Sequence, residues 1–287
     1  MVVDKPEGPT SHAVVSIVRR GTGVQKVGHA GTLDPRASGV LVLCLGPATR
    51  LSEYLSNSTK LYEARIRFGE STETYDAEGE TTSSTGEVPT EAQLEAALEM
   101  FRGEIRQIPP PYSAIKLQGR KAYELAREGK PVELEARNVT VYELTTLQYE
   151  PPELTVRVEC SAGTYIRSLA HDLGETLSTG AHLAALRRLR AGPFGLEDAV
   201  TLEALERGMG QGEWQGWLRP ASDALPDLPI VTVREPEQER IRNGLRIPSE
   251  DGSVGMARAL APDGQLVAIL VSAADGQEWQ PRKVFPS

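Results

Sequence analysis

Two periodicities organise the chain. Tyr62, Ala64, Ile66 and Phe68 alternate with Glu63, Arg65 and Arg67, the period-two pattern of a strand with one buried face. Leu154, Val156, Val158 and Cys160 alternate in the same way with Glu153, Thr155, Arg157 and Glu159. The unbroken apolar run Val40 to Leu45 predicts a strand covered on both faces. Elsewhere the spacing is helical. Val14, Val15, Ile17 and Val18 predict a short helix after the turn cluster Lys5-Pro6-Glu7-Gly8-Pro9-Thr10-Ser11, with Thr10 or Ser11 as its cap. Thr90 and Gln93 form a capping box ahead of Leu94, Ala97, Leu98 and Phe101. From Thr164 the apolar positions are Ile166, Leu169, Ala170, Leu173 and Leu177, again helical. Gly180-Ala181-His182 is expected to open a further helix through Leu183 and Leu186 to Arg190. Between these lie an acidic loop, Glu70 to Gly86, and the stretch Ile108 to Lys116, which its prolines keep extended. Gln118 to Lys130 is basic and helix-biased.

Beyond Leu196 a short helical piece runs through Leu205, followed by a Gly/Trp-rich link. From Ile230 the texture changes. Short apolar runs, Ile230–Val233, Gly255–Leu260 and Leu266–Val271, are separated by turns such as Asp251-Gly252 and Pro262-Asp263-Gly264. This predicts a small all-β domain of residues 229–287, with a boundary near Leu228.

At 287 residues, 39% hydrophobic and 25% charged, the chain holds enough apolar material for a real core. No apolar run approaches the ~20 residues of a membrane span, and the start lacks the apolar segment of a secretory signal. Cys44 and Cys160 have no CxxC partner and read as buried thiols of a reducing cytoplasm. His12, His29, His171 and His182 show no ligand spacing, so no metal is expected. The net charge of −9 argues against nucleic acid, but its distribution is uneven. Residues 1–60 carry seven Lys/Arg against four Asp/Glu, and residues 101–130 seven against three, whereas residues 61–100 carry two against ten. Local basic faces of this kind can meet a polyanion on an acidic protein.

The candidate chemistry centres on Val27 to Gly46, VGHAGTLDPRASGVLVLCLG. Asp34 stands among small residues, with Pro35 biasing it toward an extended or turn conformation. Two readings fit: an acid held at a fixed angle to a docked molecule, or a turn whose Asp caps its own backbone. Tyr62 is either a core ring or one whose hydroxyl reaches a polar site. Arg167 falls in a helix's first turn, where the macrodipole disfavours a cation, so a nearby acid or phosphate is expected.

Four stretches then carry a resemblance: KPEGPTS, GHAGTLDPRASGVL, KLYEARIRFGESTETYDAEGE and CSAGTYIRSLAHDLGETLSTGAHLAALRR. In this order and spacing they resemble the bacterial TruB type of pseudouridine synthase, which isomerises uridine 55 in the T-loop of tRNA. The resemblance covers nearly all of residues 1–228. It implies an α+β fold, a mixed and mainly antiparallel sheet with flanking helices, followed by a PUA-like RNA-binding domain. IPPPYSAIKLQGRKAYELAREG looks like the family's RNA-clasping thumb, an insertion at about 104–130. Residue by residue, the resemblance makes Asp34 the catalytic carboxylate, Tyr62 the ring against the target uracil and Arg167 the partner of the aspartate. His29 matches the residue that fills the space of the extruded base. Tyr165 and Leu186 match pocket positions, and Asp76 is a further pocket candidate. Lys5 and Pro6 would brace the pocket wall. Arg19, Arg20, Lys26, Lys116, Arg120, Lys121, Arg127 and Lys130 are the expected phosphate contacts. No cofactor is implied. The implied partner is the tRNA T-arm, met by a cytoplasmic monomer that needs no protein partner. Rival readings are a non-catalytic tRNA-binding or tRNA-folding protein and a guide-RNA-dependent synthase; glycoside hydrolysis would need a second carboxylate, for which only Asp76 is available. The chain departs from the family pattern in having only Met1 to Asp4 before the Lys-Pro pair, and in Ser38 and Glu73 where Thr and Asp are commoner.

Overall fold

A computed structural model describes residues 1–117, 119–249 and 252–286. Gln118, at the head of the basic stretch, and Asp251, in the Asp251-Gly252 turn, lie outside the described residues. In chain order the first strands are β1 (Val2–Lys5), β2 (Val27–His29), β3 (Ala37–Leu45), β4 (Lys60–Phe68), β5 (Glu70–Thr72) and β6 (Thr81–Ser84). Next come β7 (Gly103–Gln107), β8 (Lys116–Leu117), β9 (Arg120–Lys121), β10 (Arg137–Glu150), β11 (Glu153–Cys160) and β12 (Ala181–Ala191). The last are β13 (Phe194–Gly195), β14 (Val200–Thr201), β15 (Ile230–Thr232), β16 (Ile247–Pro248), β17 (Met256–Leu260), β18 (Leu266–Ser272) and β19 (Glu278–Val284). The helices are α1 (Ser11–Thr22), α2 (Ser52–Ser56), α3 (Glu91–Glu99), α4 (Ala122–Arg127), α5 (Ile166–Thr176), α6 (Leu202–Gln211) and α7 (Glu235–Arg242). This is an α+β fold with a mixed sheet and a five-stranded C-terminal sheet.

The chain forms two compact units, one of Met1–Pro35, Gly39–Ser56 and Ala191–Ser287, the other of Arg36–Ser38 and Asn57–Arg190. In the first, β1 lies between β14, which it meets in parallel, and β3, which it meets antiparallel. β2 folds back on β3, so Gly28 faces Cys44 and His29 faces Leu43. Thr10 caps α1, its hydroxyl accepting from the Ala13 N–H at 3.0 Å. The C-terminal sheet runs β15-β17-β18-β19-β16, with α7 between its first two elements in sequence. Ile269 of β18 and Phe285, just past β19, join Val40, Val42 and Leu51 in one apolar core.

In the second unit the strands run β12-β4-β11-β10-β7. The alternating faces of β4 and β11 appear as expected: Ala64, Ile66, Phe68, Leu154, Val156 and Val158 are all buried. Against them pack Leu94 and Leu98 of α3 and Ile166, Leu169 and Leu173 of α5. The Thr90–Gln93 capping box forms in both directions.

Ala181–Ala191 corrects the expectation of a helix, for it is the strand β12. Ala, Leu and Arg favour helix locally. A strand beside β4, with Ala181, His182 and Leu183 buried, is what the sheet provides instead, and tertiary packing overrides the propensity. Part of the acidic loop is also ordered, as the β5/β6 hairpin.

Gly174, inside α5, explains the close fit of that helix to the start of β12. A Cβ there would sit 2.2 Å from the Ala181 nitrogen and 2.5 Å from the Gly180 carbonyl carbon. Helix propensity alone would favour Gly174→Ala by about 1 kcal/mol. We expect the opposite sign, a lowered midpoint in urea unfolding, because backbone stands in the way.

Candidate active site

Asp34 lies in the first unit, half-buried in the loop between β2 and β3. The loop starts where the Ala30 N–H donates to the Val42 carbonyl at 2.9 Å. Gly31 then takes φ +97°, a conformation that glycine adopts without steric cost. On the N-terminal side of Asp34, Leu33 is buried and gripped by Ser11. The Ser11 hydroxyl accepts from the Leu33 N–H at 2.8 Å and donates to the Leu33 carbonyl at 2.9 Å. On the C-terminal side, the Pro35 carbonyl accepts from the Gly8 N–H at 2.9 Å and from Lys5 Nζ at 3.2 Å. Lys5 is fully buried, and its ammonium also donates to the carbonyls of Pro6 (2.8 Å) and Pro9 (2.9 Å). The KPEGPTS motif therefore acts as a clamp on both residues flanking Asp34. Its lysine is held by backbone and fixes the loop.

In the second unit Arg167 is the second residue of α5, and its buried guanidinium is a hub. Nη1 donates to the Thr74 carbonyl at 3.2 Å and lies 3.4 Å from Asp76 Oδ2; Nη2 donates to the Tyr112 carbonyl at 3.1 Å. The acid expected beside this first-turn arginine is thus, within its own unit, Asp76. Both side chains are little exposed, 9% and 14%, so removing one partner would leave a buried charge at a cost of about 3–5 kcal/mol. Asp76 Oδ1 is in turn held by the Thr74 hydroxyl (2.6 Å) and the Glu78 N–H (3.0 Å). The turn is tied to β12 through the Leu183 N–H to the Tyr75 carbonyl (3.0 Å) and the Ala77 N–H to the Leu183 carbonyl (3.1 Å).

Tyr75, at the centre of that turn, has φ +63°. For a bulky side chain this costs on the order of 1–3 kcal/mol. Its ring stacks on His171 with centroids 3.8 Å apart and planes within 5°. Burial lowers the His171 pKa and, with Asp172 and Glu175 adding, raises that of Tyr75, so both rings are neutral near pH 7.

The remaining candidates of this unit frame the same helix. Tyr165 is the residue preceding α5; its N–H donates to Gln107 Oε1 at 2.7 Å and its carbonyl accepts from Gln107 Nε2 at 3.0 Å. The Ser168 hydroxyl holds the Ile108 carbonyl at 2.7 Å. The proline arm is therefore rooted on the first turn of α5 through Gln107, Ile108 and Tyr112. Tyr62 on β4 and Leu186 on β12 are half-buried and pack on the unit's core. His29 sits on β2 in the first unit. Ser11, Gln107, Thr74 and Tyr75 carried no chemical signal in the sequence; only Ser11 stood out, as a possible cap.

The basic residues expected to meet phosphate are exposed, and four of them, Arg120, Lys121, Arg127 and Lys130, have partners. Arg19 and Arg20 close the last turn of α1, where the helix dipole favours cations. Arg120 and Lys130 both pair with Glu128, whose carboxyl they pull down to about 2. Lys121 and Arg127 lie over the Tyr123 ring at 5.3 and 5.5 Å. Among the described residues no group of three or more His, Cys, Asp or Glu could hold a metal ion.

Three family models match the chain in succession. The first, described as TruB family pseudouridylate synthase (N terminal domain), covers residues 19–166. The second, tRNA pseudouridylate synthase B C-terminal domain, covers residues 167–224, and the third, tRNA Pseudouridine synthase II, C terminal, covers residues 228–286. The tRNA pseudouridine synthase B of Solibacter usitatus is 49% identical over 274 residues, 94% of each chain. That of Pseudomonas aeruginosa is 42% identical over 292 residues, 100% of this chain and 95% of the other. Among solved structures, a chain of a Cbf5-Nop10-Gar1 complex superposes with a TM-score of 0.77 at 30% identity, over 99% of this chain and 84% of that one.

One titration at this helix is testable. Burial, followed by Glu175, raises the Asp172 carboxyl from 3.8 to about 6. Between those values the folded chain holds a proton that the unfolded chain has released, so stability falls as pH rises through the window. The loss is complete above about pH 6 and absent below about 3.8. Asp172→Asn is expected to raise the thermal midpoint at pH 7.5 and to leave it unchanged near pH 3.5.

Proposed function

The chain belongs to the TruB family of pseudouridylate synthases, and from that premise we propose that it isomerises uridine 55 in the T-loop of tRNA to pseudouridine. The observation that carries the reading is the mounting of Asp34, a half-buried carboxylate whose two flanking residues, Leu33 and Pro35, are pinned by Ser11, Gly8 and Lys5. The relatives' names support tRNA as the substrate. The reaction breaks the C1′–N1 bond, turns the base over and joins C5 to C1′, while the C5 proton is released and N1 gains one. Nothing is oxidised or hydrolysed overall, so the residue types required are a carboxylate and groups that hold a dry, unstacked pyrimidine.

In this reading Asp34 is the catalytic carboxylate, acting at C6, at C1′ or in support of a glycal route. Tyr62 lies against the uracil, Tyr165 and Leu186 line its pocket, and His29 fills the space that the base leaves. Arg167 partners Asp34, and Asp76 fixes the guanidinium. Flipping the target out costs a few kcal/mol, and stacking on Tyr62 returns roughly 1–3 kcal/mol. Phosphate contacts from Arg19, Arg20, Lys26 and the basic arm, with residues 229–287 as an RNA-binding domain, supply the remainder. The protein works as a cytoplasmic monomer on bare tRNA. No helix among the described residues is long and apolar enough to cross a membrane.

The likeness to a Cbf5-Nop10-Gar1 chain favours one second reading, dependence on a guide RNA and partner proteins. Tritium release from C5-labelled uridine in tRNA by the purified chain alone separates the two, and mapping the modified position tests uridine 55. Asp34→Asn is expected to lower turnover by more than about 10⁴-fold while tRNA affinity stays within a few-fold. Retained turnover would remove Asp34 from the mechanism. Tyr62→Leu is expected to slow single-turnover isomerisation severely, and a near-normal rate would make its ring a core residue.

A further inference from the structure

We propose that Tyr75, held on His171, is a positioning residue that fixes the Arg167–Asp76 pair in its working geometry. Arg167 and His171 are four residues apart on α5, so they occupy one face, a turn apart. That stripe grips three consecutive residues. Arg167 takes the Thr74 carbonyl and the Asp76 carboxylate, and His171 takes the Tyr75 ring between them. The left-handed φ of Tyr75 is what lets a carbonyl before it and a carboxylate after it reach the same guanidinium.

Glycine adopts that conformation at no steric cost, and Asn more readily than Tyr. A tyrosine there opposes the local backbone preference, so its ring must contribute something that the turn alone does not. The ring is only half-buried and lies flat on a second ring instead of filling the apolar core. The backbone bonds to Leu183 hold the turn against β12, which places it in the sheet. Inside the turn the Tyr75 N–H donates to the Thr72 carbonyl (3.3 Å) and the Thr72 hydroxyl to the Asp76 carbonyl (2.7 Å), which fixes its shape. The stack adds the tie to α5, because a planar ring 3.8 Å from His171 sets the turn's tilt about the helix face. A wrong tilt would swing the carboxylate off the guanidinium and let Arg167 turn. Misplacement of about 1 Å at a reacting centre can cost about 100-fold in rate.

The inference rests on the reading that Arg167 serves the isomerisation. It is tested by Tyr75→Gly, which removes both the ring and the strain, and by Tyr75→Phe, which keeps the stack. With tRNA and single-turnover kinetics, Tyr75→Gly is expected to lower the isomerisation rate about 10- to 100-fold. Its tRNA affinity should stay within a few-fold and its thermal midpoint should be equal or higher. Tyr75→Phe should restore the rate to within about two-fold. His171→Leu takes the stacking partner away without touching the turn and should reproduce the loss, which covers the case of a glycine variant that does not fold. In an Asp76→Asn background, Tyr75→Gly should add little, since the pair it positions is already broken. The proposal is overturned if Tyr75→Gly and His171→Leu keep the parental rate, if the loss lies wholly in tRNA affinity, or if it persists undiminished in the Asp76→Asn background. A parent protein inactive on tRNA would sink the proposed function instead, so the two failures are distinguishable.

Discussion

Lys5 places a charged ammonium where no water reaches it and surrounds it with the carbonyls of Pro6, Pro9 and Pro35. An ammonium has three donors and no acceptor, and carbonyls freed by prolines have no regular-structure partner. The two needs meet at one point. A charge so deeply buried costs several kcal/mol unless it is fully hydrogen-bonded, which makes the surrounding turn rigid. The Asp34 loop is attached to that turn through Pro35 and to α1 through Ser11. The direction in which Asp34 leaves the backbone thus depends on a lysine 29 positions earlier.

The second unit uses a guanidinium in the same manner. Five donors in a fixed fork suit several oxygen acceptors at once. Arg167 meets Thr74, Asp76 and Tyr112, which belong to the acidic turn and to the base of the proline arm. Gln107 and Ser168 attach the arm beside it. The first turn of α5 therefore organises both segments, and movement of the arm's base and orientation of the arginine share a bond. Farther along the arm, Glu128 and Tyr123 hold the very cations assigned to phosphate. A phosphate drawn to Arg120 or Lys130 competes with a carboxylate already in place, and such exposed pairing weakens as salt rises.

Much of the fold is local enough to be legible in the chain. The strands β4 and β11 follow from strict alternation, and α3 from Thr90 and Gln93. α5 follows from apolar spacing after Thr164, because in each case one face must leave water and the period says which. The ordered motifs singled out Asp34 and Tyr62 as candidates, and the odd placement of Arg167 in a first turn called for a nearby acid or phosphate, of which the structure shows the acid Asp76. What the chain alone determined, then, was the set of buried faces, the caps, the small-residue loop around one carboxylate and the need for a counter-charge at Arg167. Only the tertiary structure decided that Ala181–Ala191 is a strand, since hydrogen bonds to a neighbouring strand outweigh a helix-favouring composition. It alone decided that Asp76 meets Arg167, that Ser11 and Lys5 clamp the Asp34 loop, and that Tyr75 adopts a left-handed backbone under His171. Each of these joins residues tens of positions apart, and their geometry depends on packing that no local pattern records.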